Sequence, residues 1–546
     1  MSTFARFCEL GESLEATRAR KVMAEMVAQY LRSLPADEVA LAARMIIGRV
    51  FPEREGRPLN LSGAAVMRVV DAVVQSTHEQ RRHIAAEAVD FGQSVQMLLE
   101  RGADCQPEGS PLSLGDVWQA FQHIAATRGA GSRERKDEIL SSLLLRASPR
   151  EAKYIVKVAV GEMRHGVSEG LLLEAVAIAA GLPFELVQRA NMLAGDAGAV
   201  AEMALLHGRE GLERYTVRLG QPLKPMLAQT AASVEEAFAL LASHLALEFK
   251  LDGARVQIHK DGQRVWLFSR HLSDLTASLP EVREQVEREV DAHSAVLEGE
   301  VVAVAADGRP LPFQVLMRRL GRVHDIGALR QRVPVKLYLF DLLYADGEAW
   351  LDRPYHQRVE RLRSVSGRLA LTPRQVPATV AAGEAFLAQA RAAGHEGLMA
   401  KELDSPYAPG VRGRYWLKIK PTATLDLVIV AADWGYGRRH GWLSNYHLAA
   451  RDEESGELLE VGKTFKGLTD EEFKQVTERL LRLKVSEAHG TVTVRPQVVV
   501  EVAFNNIQDS PQYRSGMALR FARIVRFRPD KNAAEADTLQ SMRRLR

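Results

Sequence analysis

The sequence predicts a multi-domain protein of three successive textures: an all-α region, a mixed α+β region and a small all-β barrel of the OB type. Three observations lead there. A chain of 546 residues exceeds what one hydrophobic core fills. Apolar residues recur at helical spacing up to about residue 215, then give way to period-two alternation. Beyond Lys420 the pattern is a set of short β runs around a single helix, the texture of a small barrel. The boundaries implied are 1–218, 219–420 and 421–546.

Within 1–218, Leu140, Leu143 and Leu144, and Ile155, Val158 and Ala159, mark apolar helix faces. Ser148-Pro149-Arg150-Glu151 combines an N-cap serine, a proline at the first helical position and a glutamate three residues on. Gly166 and Gly181 are expected to stop this helix and the next. Between helices, 128–136 reads as a glycine-rich basic loop carrying Arg128, Arg133, Arg135 and Lys136. Charges of this kind suit either a solvated turn or contacts to nucleic-acid phosphates. The texture changes around Leu219–Pro225.

Val256 and Ile258, the Asp261-Gly262 turn, then Val265 and Leu267 spell a β-hairpin. Further β runs are expected at Ala295–Ala303 and Val335–Leu339, and helices at Ser233–Leu241, Leu279–Asp291 and Ala381–Ala393. After the break at Pro421–Thr424, strands are expected at Leu425–Ala432, Tyr446–Ala450, Leu458–Lys463, Thr491–Val494 and Val498–Phe504. A helix is expected near Asp470–Leu483 and a charged tail from Asn532.

Composition excludes several classes. Hydrophobic content of 46% and charged content of 26% are those of a water-soluble globular chain. Two cysteines, Cys8 and Cys105, support neither a disulfide framework nor a Cys-rich zinc site, and fit a reducing compartment. Arg6, Glu9, Glu12 and Glu15 in the opening stretch exclude an ordinary secretory signal. The apolar run Leu171–Val187 is broken by Glu174, Pro183 and Glu185, too soon for a membrane span. A net charge of +3 says little about partners, so local clustering must decide.

The chemistry concentrates in the middle region. Glu248-Phe249-Lys250-Leu251-Asp252-Gly253-Ala254-Arg255 frames one lysine with acids and an arginine, beside a glycine that admits close approach to the backbone. A lysine that attacks phosphorus must first be neutral, and a free amine titrating near ~10.4 is neutral only about once in two thousand at pH 7. Neighbouring cations, a metal ion and burial favour the neutral amine, whereas Glu248 and Asp252 oppose it unless engaged elsewhere. Alone, the motif also suits a salt-bridged surface hairpin. Downstream come Ser269-Arg270, Leu297-Glu298-Gly299-Glu300 at an expected strand end, and Tyr338-Leu339-Phe340-Asp341 at another. His395-Glu396-Gly397-Leu398-Met399-Ala400-Lys401 opens a strand, and Trp416-Leu417-Lys418-Ile419-Lys420 sets two lysines on one strand face. Each alone fits a core or surface position; together, in this order, they form a phosphate-handling set. No Gly-x-x-x-x-Gly-Lys-[Ser/Thr] loop occurs, which excludes a P-loop enzyme.

This ordered set resembles the covalent nucleotidyltransferase superfamily, closest to three-domain ATP-dependent DNA ligases. Pro222–Ala228 resembles the segment opening the ligase adenylation domain, Arg520–Lys531 the final ligase motif, and Glu162–Gly166 an element of the ligase DNA-binding domain. The resemblance implies an all-α DNA-binding domain, an α+β nucleotidyltransferase domain and an OB-fold domain. It implies that Lys250 carries AMP and that Glu248 lies near the adenine. Arg255 and Arg270 would meet ribose and phosphate, and Phe340 would stack on the base. Glu300 would hold the ribose hydroxyl or a metal, and Glu396 the metal. Arg414, Lys418 and Lys420 would contact the nucleotide phosphates. The final motif, with Arg523, Arg526, Arg528, Asp530 and Lys531, would orient the leaving pyrophosphate. Arg164 joins Arg128, Arg133, Arg135 and Lys136 as expected DNA contacts. Two departures are visible: Ala522 where many relatives have proline, and Glu298 where many have aspartate. The implied activity is sealing of nicked duplex DNA by a monomer, with ATP as AMP donor and Mg²⁺, or Mn²⁺ in its place, in the cytoplasm at the nucleoid. The alternatives are an RNA ligase or capping-type nucleotidyltransferase, which the large helical region argues against, and an inactive DNA clamp, which would need none of these acids and lysines.

Overall fold

The structure is a computed structural model that describes residues 2–102, 109–242, 244–320, 326–408, 412–419, 423–436 and 439–545. It divides into two compact units, Met1–Ile419 and Lys420–Arg546. The helical and α+β regions thus share one unit, and the β-rich region forms the other. Cys8 is a buried free thiol, and Cys105 lies outside the described residues.

The first unit opens with helices running from Phe4–Glu15 to Ala197–Glu213. At Ser148 the capping box forms as spelled: the serine hydroxyl accepts from the Glu151 amide, and the Glu151 carboxylate accepts from the Ser148 amide at 2.9 Å. That helix, Pro149–Val160, ends at Gly161 rather than at Gly166. Gly161 takes φ 74°, and the Glu162 amide reaches back to the Lys157 carbonyl at 2.9 Å, a Schellman-type closure that satisfies the last carbonyls. Gly166 instead serves a later left-handed turn, while Gly181 does stop the helix Glu169–Ala180. The basic stretch 128–136 is a loop only as far as Gly131. From Ser132 the chain is already helical (Ser132–Arg146), because the left-handed Gly131 acts as the N-cap. No helix among the described residues is long and apolar enough to cross a membrane.

The α+β region holds two sheets. One contains β1 (Leu227–Ala231), β2 (Leu245–Lys250), β9 (Arg374–Gln375), β10 (Gly397–Glu402) and β11 (Arg412–Ile419), in the order β1-β11-β10-β2-β9. The other contains β3 (Ala254–Asp261), β4 (Arg264–Ser269), β5 (Ser294–Ala303), β6 (Val335–Ala345), β7 (Glu348–Ala349) and β8 (Ala370–Leu371), in the order β4-β3-β5-β6-β7 with β8 on β6. Leu251-Asp252-Gly253 carries the chain from β2 in one sheet to β3 in the other. The expected hairpin at Asp261-Gly262 is present, with Gly262 at φ 56°. Two expectations change: Leu297–Glu300 and Tyr338–Asp341 lie inside β5 and β6, not at strand ends. Both strands are central, and pairing on both sides carries them past the charged residues.

The second unit comprises β12 (Ala423–Trp434), β13 (Leu443–Arg451), β14 (Leu458–Thr464), β15 (Lys484–Ala488), β16 (Thr491–Phe504), β17 (Asn506–Asp509), β18 (Met517–Arg520) and β19 (Arg523–Phe527), with the helix Asp470–Arg482. The order β14-β13-β12-β16-β15 with β19 on β16 forms its main sheet. The two runs expected at Thr491–Val494 and Val498–Phe504 are one strand. Pro496, which lacks an amide donor, falls where the register with β12 jumps from Val498 to Thr493. The expected charged tail is docked: Leu539 and Met542 of the helix Leu539–Arg544 join the barrel core. The Asp426 amide donates to the Asp537 carboxylate at 2.7 Å, and the Asp537 amide donates back to the Asp426 carbonyl at 2.8 Å.

Met542→Ala should therefore destabilise the C-terminal unit by about 2–4 kcal/mol, the range for emptying a buried methionine site. Denaturant unfolding of the full chain checks this, and an unchanged midpoint would mean that the helix is not part of that core.

Candidate active site

Lys250 ends β2 where the chain crosses between sheets, and the start of β10 lies opposite it, with Gly397 in register. The Glu396 amide donates to the Lys250 carbonyl at 3.1 Å, and the Lys250 ammonium pairs with the Glu396 carboxylate. The crossing is tight. A Cβ on Gly253 would lie 2.4 Å from the Val301 carbonyl oxygen and 2.9 Å from Glu300 Cγ, so only glycine lets the chain run this close to β5. Asp252 accepts from the Phe313 amide at 3.1 Å.

Below the lysine, the acids are engaged by cations and hydroxyls. Glu248 is buried, pairs with Lys401 Nζ at 2.6 Å and accepts from the Tyr355 hydroxyl. Lys401 sits among rings, its ammonium 4.4 Å from Trp416, 4.5 Å from Phe340 and 4.9 Å from Tyr355. Burial lowers its pKa, and the Glu248 charge opposes that. Across the cleft, Arg255 donates to Glu298 at 2.5 Å, to the Met226 carbonyl at 2.7 Å and to the Tyr407 hydroxyl at 3.1 Å. Glu298, fully buried, also accepts from Gln257 at 2.9 Å and from Tyr407 at 3.1 Å, so this acid is fully occupied. Asp341 is held by Arg358 through two bonds of 2.8 and 3.0 Å, which pins the helix Tyr355–Val365 to β6. Phe340 stands edge-on to Trp416 with centroids 6.1 Å apart, and Arg255 lies 5.4 Å from its ring.

Glu300 shares a register position with Arg255. Burial pushes its carboxyl up to about 7; the charges of Lys250 and Arg255 pull it down, and those of Glu396 and Asp252 raise it again. Glu300 and Glu396 are thus two acids whose mutual repulsion a divalent ion would relieve. No group of three His, Cys, Asp or Glu side chains able to hold a metal occurs among the described residues. The donor set fits Mg²⁺, which keeps water and shares phosphate oxygens, rather than a full protein cage.

The remaining expected residues fall in several places. Arg270 is exposed just past β4, and Lys418 is half-buried on β11, in register with Met399. The Arg414 side chain and Lys420 lie outside the described residues. In the helical region Arg128 and Arg133 are exposed. Arg135 donates to the carbonyls of Arg128 and Ala130 at 3.2 and 3.1 Å, and Lys136 to that of Leu59 at 3.0 Å. Arg164, at φ 55°, pairs with Glu162 at 2.6 Å.

In the second unit, Arg528 pairs with Asp426 at 2.8 Å and Asp530 at 2.7 Å, Lys531 with Asp426 at 2.6 Å, and Arg526 with Glu501 at 2.6 Å. Arg523 is exposed. Sequence reasoning missed Lys401, Tyr355, Tyr407 and Asp426. For Lys401 a signal existed: it shares a strand face with Met399 and follows the apolar run Leu398, Met399 and Ala400 of β10. It also missed the exposed rings of Phe465 and Phe521, with Lys466 within 5.8 Å of both and Arg520 5.2 Å from Phe521.

Three family models match the chain: "DNA ligase N terminus" over residues 3–177, "ATP dependent DNA ligase domain" over 225–420 and "ATP dependent DNA ligase C terminal region" over 439–531. DNA ligase 1 of Korarchaeum cryptofilum (strain OPF8) is 44% identical over 540 residues, spanning 98% of this chain and 97% of that protein. The DNA ligase of Thermococcus onnurineus (strain NA1) is 41% identical over 549 residues, spanning 99% and 97%. A solved structure described as "Pmar-Lig_Pre." aligns over 96% of this chain and 99% of its own with a TM-score of 0.61; at 17% identity this likeness shows the fold alone.

The Glu300 carboxyl, raised from its ordinary 4.5 to about 7, binds a proton more tightly folded than unfolded. Its contribution to stability is therefore complete below the unfolded value and is lost as pH rises through about 7. Melting temperatures of the ligand-free chain across this window should fall less in Glu300→Gln than in the unaltered protein. Parallel curves would contradict the shift.

Proposed function

This chain belongs to the ATP-dependent DNA ligase family, and from that premise we propose that it seals nicks in duplex DNA through an AMP carried on Lys250. The observation that supports this most is the lysine's position. It lies at the crossing between two sheets, paired to Glu396 with Glu300 close by, near a cluster of buried rings and paired charges.

The first step forms a bond between Lys250 Nζ and the α-phosphorus of ATP and breaks the α-phosphorus bond to the oxygen of pyrophosphate, which leaves. The amine loses its proton to solvent, helped when the Glu396 carboxylate that pairs with it is engaged elsewhere. Glu300 and Glu396 would hold Mg²⁺ together with phosphate oxygens, where the ion supplies charge neutralisation. Arg255 is fixed by Glu298, so its charge stands ready at the ribose and phosphate without reorganisation. Phe340 offers the adenine an aromatic face, and Glu248, held by Lys401, supplies a carboxylate near the base. Arg270, Arg414, Lys418 and Lys420 would meet the phosphates. In the second step AMP passes from the lysine to the 5′-phosphate at the nick. In the third the 3′-hydroxyl attacks that phosphate and AMP leaves.

For the DNA, this reading draws on backbone contacts rather than base readout, through Arg128, Arg133 and Arg164 with support from Arg135 and Lys136. The exposed rings and cations around Phe521 suit a nucleic-acid surface as well. Arg523, Arg526, Arg528 and Lys531 would serve the leaving pyrophosphate, with Asp530 orienting Arg528. The protein is read as a monomer acting at the nucleoid.

Lys250→Ala should abolish the gain of one adenylate in intact mass after incubation with ATP and Mg²⁺, and with it sealing of 5′-phosphorylated nicks; a variant that still gains the mass refutes the assignment. Affinity for nicked duplex should fall steeply as salt rises, on the order of 10³-fold between about 50 and 200 mM if some six phosphates are neutralised. A salt-independent affinity would rule out binding led by phosphate contacts.

A further inference from the structure

Pro222–Met226 opens the α+β region and touches two parts of the first unit at once. On one side lies the helical region. Lys224 is almost fully buried there, its ammonium 2.6 Å from a Glu169 carboxylate oxygen and 4.0 Å from Glu53, and its amide donates to the Met192 carbonyl at 3.0 Å. Glu169 begins the helix Glu169–Ala180 and is braced by Arg49 at 2.6 Å and Asn191 at 3.0 Å. On the other side lies the nucleotide pocket. The Leu223 amide donates to Gln257 Oε1 at 2.7 Å, and Gln257 Nε2 returns a bond to the Leu223 carbonyl at 3.2 Å. The Met226 amide donates to the Tyr407 hydroxyl at 2.9 Å, and its carbonyl accepts from Arg255. Gln257, Tyr407 and Arg255 all converge on Glu298. Packing repeats the pattern. Met192 and Leu193 of the helical region share one apolar cluster with Leu223, Met226, Tyr407 and Trp416, against which Phe340 packs.

We infer that Lys224 is a positioning residue for adenylation of Lys250, held by Glu169 so that the helical region sets the rim of the nucleotide pocket. The inference rests on the proposed function of that pocket and goes beyond it, because it assigns part of ATP binding to a contact outside the α+β region. Lys224 and Glu169 do not act on ATP. They fix the segment whose backbone orders Arg255 and Tyr407, and through them the seat of the base and ribose. A buried ion pair suits this task, since its partners lose much when separated and so define one arrangement sharply. Freed from Glu169, the segment could shift without unfolding the domain, and Arg255 would lose the Met226 carbonyl that fixes its fork.

The test measures self-adenylation of the full chain by intact mass against ATP concentration, for the unaltered protein and for Glu169→Gln, Lys224→Gln, Lys224→Arg and the double Gln variant. The expected result is a rise in the ATP concentration for half-maximal rate of about tenfold in each Gln variant, the scale of one lost charge-assisted hydrogen bond. The limiting rate should stay near that of the unaltered chain. Lys224→Arg should recover most of the loss, and the double variant should be little worse than either single. A merely structural pair would lower the melting temperature without moving the half-maximal ATP concentration, and that result overturns the inference. Strictly multiplying effects in the double variant also overturn it, because the two residues would then act independently. If the unaltered chain gains no adenylate, both this inference and the reading of Lys250 fall; if it does and the variants match it, only the inference falls.

Discussion

An ammonium set against a carboxylate is held firmly, and on the proposed reading Lys250 can attack phosphorus only once its proton leaves. Lys250 and Glu396 meet at the point where the chain leaves one sheet for the other. The pair defines where the amine is, and a second acid, Glu300, whose carboxyl burial raises to about 7, stands beside it. On the proposed reading, positive charge brought with the nucleotide would engage these acids and so favour the neutral amine.

Around this centre nearly every buried charge is matched. Glu248 has Lys401, Glu298 has Arg255, and Asp341 has Arg358. A buried ion without its partner costs several kcal/mol, whereas a matched and hydrogen-bonded pair roughly offsets its desolvation. The value of such pairs lies in their demand for one geometry. Lys401 also has the faces of three rings about it, which hold its charge beside the Glu248 pair.

The second unit treats its cations in the same way. Arg528 and Lys531 converge on the buried Asp426, and the Asp426 backbone is laced to Asp537 near the C-terminus. The terminal helix closes the barrel core, so the final cationic motif rests on a packed base and not on a loose end.

Much of this was legible in the sequence. The capping box at Ser148, the hairpin at Asp261-Gly262, the helices and the change of period near residue 219 are local events, settled by a few neighbouring side chains and backbone geometry. The family pattern around Lys250 was legible too, because it is written in residue types and order. Where local signals misled, a nearby competitor had won: Gly161 closed a helix before Gly166 could, and sheet pairing carried β5 and β6 through acids that looked like strand ends. What only the tertiary structure decided is which charges meet. Glu396 reaches Lys250 across 146 residues, and Glu169 reaches Lys224 across 55. Sequence alone determined that a lysine, its acids and the cations of the motif set were present; the fold decided their pairing, because a charge chooses its partner by distance in space and by burial, and neither is encoded in any short stretch of chain.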